Sequence, residues 1–318
     1  MALPSTFLER LRRILPEDRF EAALHGMTAP RATSFRVNPL RADAARVDQA
    51  LDAAQIPFHR VDWLDGAGWI EPAWREALMA LPAYADRWIY VQNLSSMLPP
   101  IALAPRPGER VLDLAAAPGS KTLQIAGMMR DGELAAVEAV KHRFMRLKRN
   151  LSEHGAEWVR TFLQDGTRVW KYRPEYFDRV LLDAPCSSEG RFHVDDPESF
   201  AYWSERKIAE MERKQRQLLF SAIQCLRPGG ILVYSTCSLA PEENEAVVDR
   251  MLRRFGDALT TEALPFETPE MTEPLPAWGK RTFDPAVAAG RRVVPTERTE
   301  GFYLCVIRKR ESTMGTKD

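Results

Sequence analysis

The sequence predicts an α/β fold in which a doubly wound, mostly parallel sheet follows a smaller N-terminal α/β region. Apolar runs of strand length alternate with helical segments from residue 109 onward, and this alternation is typical of a parallel sheet covered on both faces. A proline-rich stretch at residues 99–108 precedes that pattern. A chain of 318 residues is long enough for one large and one small domain. We therefore predict domains at residues 1–105 and 106–318.

The N-terminal region mixes helical and strand patterns. Short helices are predicted over Phe7–Leu15 and Phe20–Leu24, and a longer one over Ala42–Ala54. The alternating segment Ser34–Asn38 and the apolar segment Trp88–Val91 are predicted to be strands.

Strands and helices then alternate along the second region. The predicted strands are 110–114, 133–138, 158–163, 177–183, 231–235 and 302–308. The predicted helices are 121–129, 141–154, 202–226 and 241–255. Pro228-Gly229-Gly230 supplies a stop signal after the long helix. Residues 260–298 have no regular pattern.

Composition and charge exclude several classes of protein. Lys plus Arg and Asp plus Glu number 44 each, so the whole chain is not a basic nucleic-acid coat, although residues 141–149 are strongly basic. Four cysteines in this length do not make a disulfide framework, and no spacing suggests a metal site. The sequence has no membrane-length apolar run and no signal-peptide core. We expect a cytoplasmic monomer without metal or membrane association.

A loop of small residues follows the first strand of the predicted sheet. Such a loop lets a ligand approach the backbone, and the next helix offers free N–H groups. The loop is neither a Gly-x-Gly-x-x-Gly motif nor a phosphate-binding P-loop, and a tight turn without a ligand is the alternative. The candidate cofactor-binding residues are Ala115, Ala116, Ala117, Pro118, Gly119, Ser120 and Lys121.

Four consecutive strands end in an acid, at Asp113, Glu138, Asp165 and Asp183. The carboxyl ends of parallel strands form the ligand crevice. Glu138 is placed to accept hydrogen bonds from ribose hydroxyls, and Asp165 from an adenine amino group or a cationic end. So many carboxylates would repel a pyrophosphate but favour a sulfonium and an ammonium. The pattern therefore points to S-adenosylmethionine.

Two cysteines follow strand ends on the same side of the sheet, Cys186 and Cys237. Carbon 5 of a pyrimidine is a poor nucleophile until a thiolate adds to carbon 6. The later loss of the carbon 5 proton and of the thiol gives a second cysteine a role. Asp183 is placed to accept from a cytosine amino group and, when protonated, to donate to N3. Cys225 and Cys305 are predicted to be buried apolar residues.

These segments together resemble the Nop2/Sun (RsmB/NOP) family of S-adenosylmethionine-dependent RNA cytosine-5 methyltransferases. The matching segments are Phe35–Leu40, Gln92–Met97, Asp113–Thr122, Asp183–Gly190, Tyr234–Ser238 and Pro241–Glu245. The resemblance implies a seven-stranded, Rossmann-like class I methyltransferase sheet. It also implies that Cys237 attacks carbon 6, that Cys186 resolves the adduct, and that residues 115–121, Glu138, Asp165 and Asp183 hold the cofactor.

RNA contacts are expected at Arg36 and Asn38, by the resemblance, and at Arg143 in the basic helix. Ser188 stands where the family usually has glycine, and Ala115 where cysteine is frequent; both changes are small and leave the expected activity intact. The given chain ends soon after residue 310 without the extra RNA-binding domain of many relatives. We therefore expect the N-terminal region and basic helices to hold RNA, or a preformed ribosomal particle to be the substrate.

The expected function is methylation of carbon 5 of a cytosine in RNA, ribosomal RNA before transfer RNA, with no action on DNA. One alternative is a non-catalytic RNA-binding assembly factor that retains the cofactor pocket, although a scaffold needs neither thiol. Another is a methyltransferase that acts on a uracil ring or a protein.

Overall fold

The computed structural model describes residues 2–129 and 131–315. The helices are α1 Ser5–Ile14, α2 Glu17–Thr28, α3 Ala44–Ala53, α4 Arg75–Ala80, α5 Pro82–Ala85, α6 Leu94–Leu103, α7 Ser120–Met128, α8 Lys141–Glu153, α9 Glu205–Cys225 and α10 Glu245–Phe255. The strands are β1 Thr33–Val37, β2 His59–Arg60, β3 Ala67–Ile70, β4 Ile89–Val91, β5 Arg110–Asp113, β6 Glu133–Glu138, β7 Arg160–Leu163, β8 Phe177–Asp183, β9 Leu226–Thr236, β10 Leu259–Glu262, β11 Met271–Thr272, β12 Ala277–Trp278, β13 Arg281–Thr282, β14 Arg291–Val293 and β15 Phe302–Lys309.

The large sheet has the predicted doubly wound architecture. Its order is β11-β14-β15-β9-β8-β5-β6-β7, and β10 also pairs with β15. The five strands from β9 to β7 are parallel, whereas β15 is antiparallel to β9. Six of its strands, β5 to β9 and β15, were predicted. The sheet has nine strands rather than the seven that the resemblance implied, because the short strands β10, β11 and β14 also pair in it. The fold-class prediction is therefore confirmed.

Both faces of this sheet are covered by helices. Apolar residues of α9 and α10, such as Leu219 and Val247, pack with Leu182 and Tyr234 on one face. Residues of α6, α7 and α8 form a second apolar cluster on the other face. Because both faces are buried, the carboxyl edge of the parallel strands is left as the place where a cavity can form.

The N-terminal region contains a small antiparallel sheet in the order β2-β3-β1-β4. Helix α3 packs on it through Val47 and Leu51, which are fully buried beside Phe35 and Ile70. Strands β2 and β3 were not predicted, because they are only two and four residues long and such short segments carry little periodicity.

The first part of the proline-rich stretch that was predicted to be the domain boundary lies inside helix α6. Pro99 and Pro100 are in this helix and are buried. Pro100 has no N–H to donate to the carbonyl of Ser96. The Gln92 side chain donates to that carbonyl instead, at 2.9 Å.

Helices α1 and α2 pack on the large sheet's side of the molecule rather than on the small sheet. Phe7 and Phe20 share an apolar cluster with Phe192 and Val294. A Cβ atom at Gly26 in α2 would lie 2.4 Å from the Cα of Thr296, so only glycine permits this approach. Helices α1 and α2 therefore pack against segments from the second half of the chain.

Other boundaries differ by a few residues. Helix α9 begins at Glu205 rather than near residue 202, and β9 begins at Leu226 rather than at Ile231, with an irregularity in its pairing to β8. Residues 260–298 contain the short strands β10 to β14. Within the described residues, we find no helix that is long and apolar enough to cross a membrane.

Candidate active site

The two cysteines predicted to share a site lie side by side. Strands β8 and β9 are parallel neighbours, with Asp183 paired to Ser235. Cys186 and Cys237 follow these positions by three and two residues, so both turns leave the same edge of the sheet. The Sγ atoms are 3.1 Å apart, and both thiols are free and half-buried.

The two turns that carry the thiols are bonded to each other. The Gly190 N–H donates to the carbonyl of Cys237 at 2.9 Å, and the Gly301 N–H donates to the carbonyl of Gly190 at 2.8 Å. A Cβ atom at Gly190 would lie 2.0 Å from the carbonyl oxygen of Gly301. Glycine at position 190 therefore allows the backbones to meet closely enough to fix the thiols.

A buried carboxyl group also joins the two turns. Glu243 is fully buried and accepts from the Ser187 N–H at 3.0 Å, from Ser238 Oγ at 2.7 Å and from Gln215 Nε2 at 2.7 Å. Ser187 also donates to it through its hydroxyl. Burial raises the pKa of Glu243, and these donors act against that rise. The sequence analysis used residues 241–245 only as part of the resemblance and assigned Glu243 no role.

The thiol pair is electrostatically unequal. A hydrogen bond from Cys186 lowers the pKa of Cys237, against desolvation and the charges of Asp183 and Glu300. The pKa of Cys186 is raised well above its usual value by the same bond and by burial. Cys237 is thus the sulfur favoured as a thiolate, the form that attacks carbon.

A cavity of about 550 Å³ opens beside the thiols. Most of the predicted cofactor-binding residues line it, together with both cysteines: Ala115, Ala116, Ala117, Pro118, Ser120, Lys121, Glu138, Asp165 and Asp183. Gly119 instead shapes the turn, since it has a φ of 105° and a Cβ there would lie 2.8 Å from Leu147 Cδ1. A cavity of this size is in the range that binds small ligands.

The acids at the strand ends have different partners. Glu138 is buried and accepts from the Val140 N–H at 2.8 Å. Asp165 caps the following turn by accepting from the Thr167 N–H at 3.0 Å. Asp183 forms an ion pair of 2.7 Å with Lys121. This ion pair holds the Asp183 side chain in place at the cavity wall.

Asp113 differs from the other acids because its carboxyl group is fully buried. Burial raises its pKa to about 7, against the Thr122 hydroxyl that donates to Oδ2 at 2.6 Å. A hydrogen bond from the Ala115 N–H also acts against that rise. Asp113 is among the residues that line the cavity.

These residues fit S-adenosylmethionine. Glu138 would hold the ribose hydroxyls, Asp165 the adenine side, and the loop at residues 115–118 the body of the ligand. Because Lys121 is already paired with Asp183, its ammonium is neutralised and does not repel a cationic ligand. We find no cluster of metal-ligating side chains in the described parts of the chain.

The structure corrects two of the predicted RNA contacts. Arg36 is buried, and its guanidinium donates to Gln92 Oε1 at 3.1 Å and to the carbonyl of Ser120 at 2.9 Å. Asn38 is buried as well, and its amide donates to the carbonyls of Arg87 and His154. Both side chains join the small sheet to the large one and are not free to contact RNA, because these bonds satisfy them inside the protein.

Arg143 and two cations that the sequence analysis missed lie at the mouth of the cavity. Arg143 is 43% exposed and donates to the carbonyl of Ala117 at 2.7 Å. Arg191 and Lys214 also line the opening and are exposed. No motif in the sequence marks them, since only the fold brings residues 143, 191 and 214 together.

Family models match most of the chain. One described as 16S rRNA methyltransferase RsmB/F matches residues 100–308, and one described as the N-terminal domain of 16S rRNA methyltransferase RsmF matches residues 3–94. The predicted division at residue 105 thus lies near the junction of two matches, although neither match tests it.

Curated relatives and solved structures agree with these matches. The tRNA (cytosine(49)-C(5))-methyltransferase of Pyrococcus abyssi is 36% identical over 305 residues, which are 95% of this chain and 95% of that protein. The ribosomal RNA small subunit methyltransferase F of Vibrio vulnificus is 40% identical over 275 residues, 82% of this chain but 56% of that protein. A methyltransferase homolog from Pyrococcus horikoshii has a TM-score of 0.77 and 32% identity, with coverage of 96% of this chain and 100% of that one.

Proposed function

The chain belongs to the RsmB/F family of S-adenosylmethionine-dependent RNA cytosine-5 methyltransferases, and we propose that it methylates RNA through a covalent bond between Cys237 and carbon 6 of a cytosine. The observation that carries this proposal is the pair of free thiols 3.1 Å apart at the edge of a cavity that fits the cofactor. Two unlinked thiols in contact have no evident use in a protein that only binds RNA.

The proposed reaction begins at Cys237. Its thiolate forms a bond to carbon 6, which turns carbon 5 into a nucleophile. S-adenosylmethionine, when bound, would supply an electrophilic methyl group to that carbon, and its sulfur would leave as the thioether of S-adenosylhomocysteine. The proton on carbon 5 then leaves to a base, and the electron pair of its bond expels the sulfur as a thiolate. Cys186 is placed to act in this release, since its sulfur contacts the one that must leave.

Asp183 is proposed to orient the cytosine. Its carboxylate is held by Lys121 at 2.7 Å and by the Ser235 hydroxyl at 3.0 Å, so its position is fixed before a base arrives. A carboxylate accepts a hydrogen bond from the exocyclic amino group of cytosine. A uracil has no such donor, and this difference favours cytosine.

Substitution of each cysteine tests the mechanism. We expect Cys237→Ser to abolish methyl transfer, and Cys186→Ser to accumulate a protein–RNA adduct that survives on a denaturing SDS gel with substrate RNA and cofactor. Cys225→Ala is the matched control, because the Cys225 thiol is buried inside α9 and burial raises its pKa to about 12. Equal activity in Cys237→Ser and the unmodified protein would exclude this mechanism.

Ribosomal RNA is the substrate that we propose first, since both family models are described by 16S rRNA methyltransferases. Transfer RNA is the second candidate. The Pyrococcus abyssi relative, 95% of whose length aligns with this chain, is named as a tRNA methyltransferase. Bisulfite mapping of total RNA, with and without the gene, distinguishes them. A methylated cytosine that is lost only from transfer RNA would exclude the first candidate.

The RNA is proposed to enter past Arg143, Arg191 and Lys214, which line the cavity mouth. We also propose that the protein acts as a cytoplasmic monomer, on RNA and not on DNA, and that the N-terminal region helps to present the substrate. A ribosomal particle as the true substrate would be indicated by methylation of assembled subunits but not of naked RNA.

A further inference from the structure

Ser188, between the two thiols, has a backbone conformation that side chains rarely adopt. Its φ is 61° and its ψ is 26°, the left-handed region that favours glycine. Five non-glycine residues among those described have a positive φ, and of these only Ser188 lines the cavity. The family resembled by the sequence usually has glycine at this position. Unfavourable backbone that persists at a functional site suggests a use for the side chain.

The Ser188 hydroxyl contacts both sulfurs. Its Oγ lies 3.6 Å from Cys237 Sγ and 3.9 Å from Cys186 Sγ. These distances would be too long for a hydrogen bond between two oxygen atoms, but sulfur is larger and forms hydrogen bonds at this range. While Cys237 carries its proton, the thiol donates to the hydroxyl. After Cys237 loses that proton, the hydroxyl is the donor, because a thiolate only accepts.

The turn holds this hydroxyl in place. The Arg191 N–H donates to the carbonyl of Ser188 at 2.9 Å, and the Gly190 N–H donates to the carbonyl of Cys237 itself at 2.9 Å. The turn that carries the hydroxyl is therefore bonded to the turn that carries the attacking sulfur.

We propose that the Ser188 hydroxyl donates a hydrogen bond to the Cys237 thiolate and so increases the fraction of this cysteine that is ionised and able to attack. The proposal rests on the proposed role of Cys237. It makes Ser188 a catalytic residue, and a glycine at this position would have no hydroxyl to donate.

The charges around the thiols explain why such a donor is useful. The charged groups that face the pair are Asp183, Glu243, Glu300 and Arg191. The three carboxylates oppose a thiolate, and Arg191 is drawn towards Glu300 at 3.7 Å. After the bond from Cys186, the Ser188 bond is the other hydrogen bond that lowers the pKa of Cys237.

Thiol reactivity tests the proposal without RNA. The rate of Cys237 alkylation by iodoacetamide is measured against pH in the full chain, with the modified peptide quantified by mass spectrometry. We expect Ser188→Gly and Ser188→Ala each to raise the pH midpoint by about one unit, and to slow alkylation about tenfold below that midpoint. Ser188→Gly should also raise the thermal midpoint of unfolding, because glycine relieves the left-handed backbone, so stability and reactivity change in opposite directions.

Gln55→Gly is the matched control. Gln55 is exposed, has a φ of 54°, and is distant in sequence from both cysteines. The Gln55→Gly variant should therefore gain stability while its alkylation profile stays unchanged. An alkylation midpoint that stays the same in both Ser188 variants would overturn the proposal. Methyl transfer that persists in Cys237→Ser would instead overturn the proposed function, and the alkylation profile distinguishes the two failures.

Discussion

Replacement of Glu189 by glutamine should remove a large part of the pH dependence of stability. Glu189 is 1% exposed, and burial, followed by the nearby charge of Glu243, raises its pKa from 4.5 to about 7. Between these two values the folded protein holds a proton that the unfolded chain has released. The contribution of Glu189 to the free energy of unfolding is therefore fully present below pH 4.5, and it is lost as the pH rises through 7.

The size of the effect follows from that shift. With 1.36 kcal/mol for each pKa unit, ionisation of Glu189 lowers the free energy of unfolding by about 2.5 kcal/mol between about pH 5 and pH 8. Glutamine keeps an acceptor for Trp203 Nε1, which donates to Glu189 Oε1 at 2.8 Å, but has no charge to develop. Asp113, whose pKa is also about 7, retains its own contribution, so the slope should decrease rather than vanish.

Urea unfolding at pH 5, 6, 7 and 8 measures this difference. We expect Glu189→Gln to match the unmodified protein near pH 5 and to exceed its stability by about 2.5 kcal/mol near pH 8. Glu198→Gln is the control, because Glu198 is an exposed carboxylate in the next turn, and it should keep the original slope. Parallel loss of stability in Glu189→Gln and the unmodified protein would refute the reasoning.

Three further predictions concern the backbone contact, the domain contact and the ligand sites. Gly190→Ala should lose about 2–3 kcal/mol of stability and most methyl transfer, because its Cβ would lie 2.0 Å from a carbonyl oxygen; thermal unfolding and a methylation assay measure both. Arg36→Met should lose about 2 kcal/mol by leaving the buried Gln92 Oε1 acceptor without its donor, without changing the salt dependence of RNA affinity, whereas Arg191→Gln should reduce that salt slope by about 1. Glu138→Gln should weaken binding of S-adenosylhomocysteine about tenfold in calorimetry, and unchanged affinity would contradict its role at the ribose.

The sequence predicted most of the large sheet because its strands are buried on both faces. Strands β6 and β8 begin and end where the apolar runs do, at Glu133–Glu138 and Phe177–Asp183. Such runs have a clear length and clear flanking turns. The cysteines follow strand ends directly, so the same pattern placed them at one edge of the sheet.

The parts that were missed depend on contacts between distant segments. The proline-rich stretch at residues 99–108 predicted a domain boundary, but its first two prolines lie inside helix α6, where Gln92 supplies the donor that Pro100 lacks. Arg36 was expected to contact RNA because of the family resemblance, but it is buried. Its burial follows from the packing of the small sheet against the loop at Ser120, which no local pattern reveals.

The bond between the Gly190 N–H and the carbonyl of Cys237 has a consequence for the choice of target. Because the turns are tied together at 2.9 Å, we expect them to keep their positions rather than extend towards a base that remains stacked in a helix. The nucleotide would then make the movement, and unstacking a paired base costs a few kcal/mol. We therefore expect cytosines in loops, bulges or unfolded precursors, whose bases are already accessible, to be the better substrates.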